Sequence, residues 1–141
     1  EAETLLYMAA RAQVVDQIIK PALLKGKIVI CDRFLDSTIA YQGYGLGINI
    51  DMIKSIGNFA TGGIKPDLTI LLDLPVQEGL KYRKLSKDRI EKRSYAYHIA
   101  VRKGYLMLAK SEPERIKIVK VDRDKNTTQK KIRELIEKYV I

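Results

Sequence analysis

Lys27-Ile28-Val29-Ile30-Cys31-Asp32-Arg33-Phe34-Leu35-Asp36-Ser37-Thr38-Ile39-Ala40-Tyr41-Gln42-Gly43 decides how this chain is read: a short β-branched run passes straight into Asp32-Arg33 and then into a polar helix start. The run from Lys27 to Cys31 is too short for a helix and suits a buried strand. In an open parallel α/β sheet the carboxyl ends of the strands open onto the ligand crevice, so an acid and a guanidinium placed there face a ligand. Arginine offers a planar fork of donors matched to phosphate, and aspartate can hold a metal-bound water or accept a hydroxyl proton. Asp32 and Arg33 therefore point to phosphoryl transfer. The plainer reading, an ion pair at a strand end that caps the next helix, stands beside it.

Working outward, apolar residues recur at helical spacing from Glu3 to Ile19 (Leu5, Met8, Ala9, Ala12, Val15, Ile18, Ile19), with Pro21 and Gly26 marking the exit. A helix is expected from Asp36-Ser37 through Tyr41, followed by a loop containing Gly43, Gly45 and Gly47. That G-x-G-x-G neither follows a strand nor opens a helix, so it is no dinucleotide fingerprint. Asp51 is the expected cap of a helix running to about Ala60, which Gly62-Gly63 ends. Leu68 to Asp73 reads as a second buried strand ending in an acid, and Ile116 to Val121 as a third. Between them the pattern predicts a helix from Pro75 to about Lys84 and a long helix from Arg93 to Lys110. Asp122 to Asn126 is a polar loop, and Thr127 or Thr128 is expected to cap a closing helix through Tyr139. Strands alternating with helices at these intervals predict an α/β protein, a three-layer α/β/α sandwich with a parallel sheet.

A chain of 141 residues is expected to form one domain with a real core. No apolar run is long enough for a membrane span or a signal peptide, which predicts a soluble protein. The one cysteine, Cys31, excludes an internal disulfide, fits a reducing compartment such as the cytoplasm, and is expected to be a buried small hydrophobe. The lone histidine, His98, makes no metal site. The net charge of +9 calls for acidic partners, and its distribution narrows them. Between Lys81 and Lys103 nine bases stand against two acids, a local excess of +7. A compact cluster suits a nucleoside triphosphate at least as well as the extended stripe expected for nucleic acid, though a solvated helix face would also look like this.

Asp32-Arg33-Phe34-Leu35-Asp36-Ser37-Thr38-Ile39-Ala40-Tyr41-Gln42-Gly43 resembles the D-R-[YFH]-x-x-S-x-x-A-Y-Q-G signature of the thymidylate kinase family. Leu5-Leu6-Tyr7-Met8-Ala9-Ala10-Arg11 is similar to that family's base-binding helix, and Lys65-Pro66-Asp67-Leu68-Thr69 and Asp88-Arg89-Ile90-Glu91 follow in the family's order. The resemblance covers the whole chain. It implies a P-loop-kinase-type fold and, for the parent protein, phosphorylation of dTMP to dTDP by ATP with Mg2+. It further implies that Tyr7 stacks on thymine, that Arg11 bonds the base, and that Thr38, Tyr41 and Gln42 complete recognition from the next helix. Tyr7 and Arg11, and likewise Thr38 and Gln42, are four residues apart and so can share a helix face. Arg33 would hold the dTMP phosphate, and Asp32 would position it together with a magnesium-bound water. Arg89 matches the family's lid arginine in a basic lid of about 83–93, and Glu91 the acid near the acceptor sugar. Arg83, Lys84 and Lys87 are candidate ATP-phosphate contacts, and Arg123 a candidate for stacking on adenine. The family is usually a homodimer joined through helices like Glu3 to Ile19.

The departure from the family is the absence of G-x-x-x-x-G-K-[ST] from these residues. In the family that loop and its strand precede the region matching Glu1, which predicts an N-terminally truncated sequence and a sheet lacking its first strand. The expected consequence is that the strands ending at Cys31 and Asp73 close on one another or that another copy supplies a strand, and that the fragment alone does not transfer phosphate. Three other readings remain open: a deoxyribonucleoside kinase, against which Tyr41-Gln42-Gly43 argues; a basic nucleic-acid-binding module using Lys81 to Lys103; and a non-catalytic remnant of the kinase.

Overall fold

In the computed structural model, which describes residues 1–82, 89–90 and 92–140, the chain groups into two compact units, Glu1–Lys65 and Pro66–Ile141. The first is helical. Helix α1 (Ala2–Val14) passes through a wide π turn (Val15–Ile19) into α2 (Lys20–Leu24), so the helical run continues through Pro21 and ends just before Gly26. Pro21 has no N–H to give and would clash in an α ladder; widening the turn before it, with the Lys20 amide donating to the Val15 carbonyl, lets the chain stay helical through it. The apolar stripe buries Met8, Val15 and Ile19, and α1 packs against α4 (Ile50–Thr61).

Between α2 and α4 in the chain comes α3 (Leu35–Thr38), which continues as a second π turn (Ile39–Tyr44) closed by the Gly45 amide donating to the Ala40 carbonyl at 3.0 Å. Gly43 thus belongs to the helical run and not to the loop. The cap of α4 is Asn49, whose Oδ1 accepts from the Met52 amide at 2.9 Å, and not Asp51. Asn49 has the non-helical backbone a cap requires, whereas Asp51 is already inside the first turn. Gly62 (φ 58°) ends α4 in the left-handed conformation, with the Gly63 amide donating to the Asn58 carbonyl. A further glycine, Gly57, allows close packing: a Cβ there would press on the Leu35 side chain of α3.

Two expectations for Lys27 to Cys31 are corrected. The segment is irregular, with Ile28 69% and Ile30 91% exposed, and Cys31 is exposed as well. A β-branched run becomes a strand only when a neighbour takes its alternating N–H and C=O groups, and among the described residues no strand pairs with this one.

The second unit carries the sheet. Strands β1 (Thr69–Asp73) and β2 (Ile116–Lys120) pair in parallel, Thr69 opposite Ile116 through Asp73 opposite Lys120. The connection holds α5 (Val76–Gly79), a 3-10 turn (Leu80–Tyr82) and α6 (Tyr95–Ser111), as a parallel pair requires a long crossover. Ser94 caps α6, its Oγ accepting from the Tyr97 amide at 3.2 Å. The closing helix α7 (Lys125–Tyr139) is capped by Asp124, which accepts from the Asn126 and Thr127 amides, and not by either threonine. The Thr128 hydroxyl is instead occupied by the Asp122 amide at 2.9 Å. The fold class is α/β with a parallel sheet, as the pattern of strands and helices predicts.

Candidate functional site

Of the polar residues singled out in the sequence, Tyr7, Arg11, Thr38, Tyr41 and Gln42 lie on helical segments of the first unit. Arg11 leaves α1 and reaches the start of α3: its Nη2 donates to Thr38 Oγ1 at 2.9 Å and to the Phe34 carbonyl at 3.1 Å. Its Nη1 lies 3.3 Å from Met8 Sδ, and the guanidinium stands 5.5 Å from the centre of the Phe34 ring. Burial lowers the Arg11 pKa from its usual value, and the nearby Asp36 carboxylate works against that shift. Thr38 is 3% exposed, and its buried hydroxyl accepts from Arg11.

Arg33 has the left-handed backbone (φ 69°) that non-glycine residues seldom adopt. Conformations of this kind cost about 1–3 kcal/mol and persist where surrounding structure enforces them. Here the turn between the irregular segment and α3 brings the Arg33 guanidinium over the Tyr41 ring, 5.0 Å from its centre. Asp32, on the same turn, is exposed. Gln42 is almost completely buried at 1% exposure, and its Nε2 donates to Glu3 Oε1 at 2.9 Å. Tyr7 lies on α1 one turn before Arg11 and is 41% exposed. The first unit therefore joins Arg11 to Thr38, Arg33 to Tyr41 and Gln42 to Glu3.

Glu3, Phe34 and Asp36 were not singled out in the sequence as parts of this arrangement. A signal for Glu3 was present, since Glu3, Tyr7 and Arg11 recur every four residues along one helix face. Phe34 contributes a backbone carbonyl, which no side-chain pattern announces.

In the second unit Arg89 is exposed in a turn, and Arg123 is exposed in the loop before α7. Arg83, Lys84, Lys87 and Glu91 lie outside the described residues, as does most of the expected lid. At the carboxyl end of β1, Asp73 receives two hydrogen bonds from Arg102, Nε to Oδ1 at 2.7 Å and Nη2 to Oδ2 at 2.9 Å. Those bonds hold the Asp73 carboxyl below the usual carboxylate range and raise the Arg102 pKa. Among the described residues no three His, Cys, Asp or Glu side chains gather into a cage for a metal, and Asp32 offers a single exposed carboxylate. That donor set fits magnesium that keeps its waters and is shared with nucleotide phosphates.

Parallel strands with a helical crossover make this an α/β protein, a class consistent with a P-loop-kinase-like fold. The family model described as thymidylate kinase matches residues 1–132. The chain is 49% identical over 121 residues to a thymidylate kinase of Kosmotoga olearia, covering 84% of this chain and 58% of that protein. It is 47% identical over 139 residues to a thymidylate kinase of Symbiobacterium thermophilum, covering 98% and 65%. The crystal structure of thymidylate kinase from Ehrlichia chaffeensis superposes with a TM-score of 0.76 at 32% identity, over 96% of this chain and 64% of that one. The chain belongs to the thymidylate kinase family. It spans 58% and 65% of the length of these two curated relatives.

Proposed function

We propose that the full-length protein containing this chain transfers the γ-phosphoryl group of ATP to dTMP, giving dTDP for dTTP synthesis. The observation that carries this reading is the helix pair of the first unit. It joins Arg11 to Thr38 and Glu3 to Gln42, with Arg33 on a strained turn over the Tyr41 ring and Tyr7 one turn before Arg11.

In this reading Tyr7 stacks on the pyrimidine and Arg11 reaches its edge, exchanging part of its bonding to Thr38 and Phe34 for the base. Arg33 leaves the Tyr41 ring for the acceptor phosphate, where its charge counts for more than it does over an aromatic face. Tyr41 then packs against the deoxyribose. Asp32 would hold Mg2+ through a water, and the bound ion would neutralise charge on the transferring phosphates. Arg89, Arg83, Lys84 and Lys87 of the lid at about 83–93 would meet ATP phosphates, Glu91 the acceptor sugar and Arg123 the adenine. Residues 1–141 serve as a single nucleoside-monophosphate-kinase-like domain. With no G-x-x-x-x-G-K-[ST] to cradle the β- and γ-phosphates, they bind dTMP without transferring phosphate when taken alone. The protein works in the cytoplasm, and among the described residues no helix is long and apolar enough to cross a membrane. Leu6 and Ile18, exposed on the first helical run, support a homodimer joined along it. The basic stretch serves nucleotides and not nucleic acid.

The test is a coupled assay of the full-length protein with ATP and either dTMP or thymidine. Phosphorylation of dTMP, with Arg33→Ala raising its KM at least about tenfold, supports the reading. Preference for thymidine, or an Arg33→Ala protein with normal turnover at low dTMP, refutes it.

A further inference from the structure

Glu3 has no part in the proposed chemistry, yet it links α1 to the helical segment that carries Thr38 and Tyr41. Its Oε1 accepts from Gln42 Nε2 at 2.9 Å, across 39 residues of chain. A carboxylate only accepts, so it dictates that the amide turns its NH2 end toward α1. Gln42 is buried, and a buried donor that loses its acceptor has no water to replace it and must move to find another.

Glu3, Tyr7 and Arg11 lie on one face of α1 at successive turns. Both ends of that stripe are fastened to the same helical segment, Glu3 to Gln42 and Arg11 to Thr38. Tyr7 sits between the two fastenings and is the exposed member of the stripe's centre. The geometry points to Glu3 as a positioning residue that acts through Gln42. It holds α1 against Leu35–Tyr44 so that Tyr7 and Arg11 meet the base together, without touching the substrate itself. This rests on the dTMP reading above.

The experiment uses the full-length protein with Glu3→Leu, Glu3→Gln, Gln42→Leu and the Glu3→Leu/Gln42→Leu double variant. Glu3→Leu is expected to raise the KM for dTMP about tenfold while kcat and the KM for ATP stay within about twofold. Glu3→Gln keeps a carbonyl acceptor and should stay within about threefold of wild type. The double variant should be no worse than the poorer single variant by more than about twofold, because both changes remove the Glu3–Gln42 contact. A merely structural glutamate would lower the thermal midpoint and the active fraction without moving the KM for dTMP. An active wild type whose Glu3→Leu variant keeps its KM, or a double variant whose losses multiply, overturns the positioning role alone. A wild type inactive on dTMP overturns the function reading and this role with it.

Discussion

Replacing Thr38 with valine isolates the contact on which the candidate site is built. Valine matches the shape of threonine, so Thr38→Val opens no cavity and removes only the hydroxyl that accepts from Arg11 at 2.9 Å. Hydrogen bonds to charged groups contribute about 1.5–3 kcal/mol to stability. Arg11 keeps the Phe34 carbonyl at 3.1 Å and the face of its ring, which places the expected cost near the lower end, about 1.5 kcal/mol. For a protein of this size that is a fall of about 3–6 °C in Tm. Urea denaturation of the nucleotide-free full-length protein reads the loss directly, provided the m-value is unchanged. Arg11→Met supplies the second corner of a double-mutant cycle, and a coupling of about 1 kcal/mol is expected because both changes delete the Arg11–Thr38 bond. Burial already opposes the Arg11 charge, so removing the arginine relieves a cost as well as a contact, and the coupling is a better measure than either single loss. A Thr38→Val protein within about 0.3 kcal/mol of wild type, or additive single effects, would show that the Thr38 hydroxyl does not hold the guanidinium.

Gly57→Ala places a Cβ against Leu35, 2.8 Å from Cδ2, where the side chain must move. Overpacking of about 1–3 kcal/mol should outweigh a helix-propensity gain of about 1 kcal/mol, and Leu35→Ala in the same chain should recover part of the loss in urea midpoint. Asp73→Asn tests the bidentate pair with Arg102. Because the folded-state pKa of Asp73 lies below its unfolded value, the stabilisation is present above about pH 4 and fades as pH falls through the folded pKa. Arg102 is partly exposed, so the expected difference at pH 7 is about 1 kcal/mol, shrinking in acid. A difference independent of pH would show that the lost contact is not ionic.

What the sequence determined by itself is local. The helix periodicities, the glycines that end α4 and the acid-arginine turn are written in neighbouring residues, because each depends on contacts within a few positions. The misassigned caps fall within two to four residues of the true ones, since Asn49 and Asp124 compete with Asp51, Thr127 and Thr128 for the same amides. The family signature was legible for the same reason, being nearly contiguous. What only the tertiary structure decided are the pairings across long stretches of chain. Arg11 meets Thr38 over 27 residues, Glu3 meets Gln42 over 39, and Asp73 meets Arg102 over 29. Lys27 to Cys31 shows the limit most plainly: its composition favours a strand, but strand formation is settled by whether a neighbour offers a ladder of hydrogen bonds, and no residue within the run can supply one.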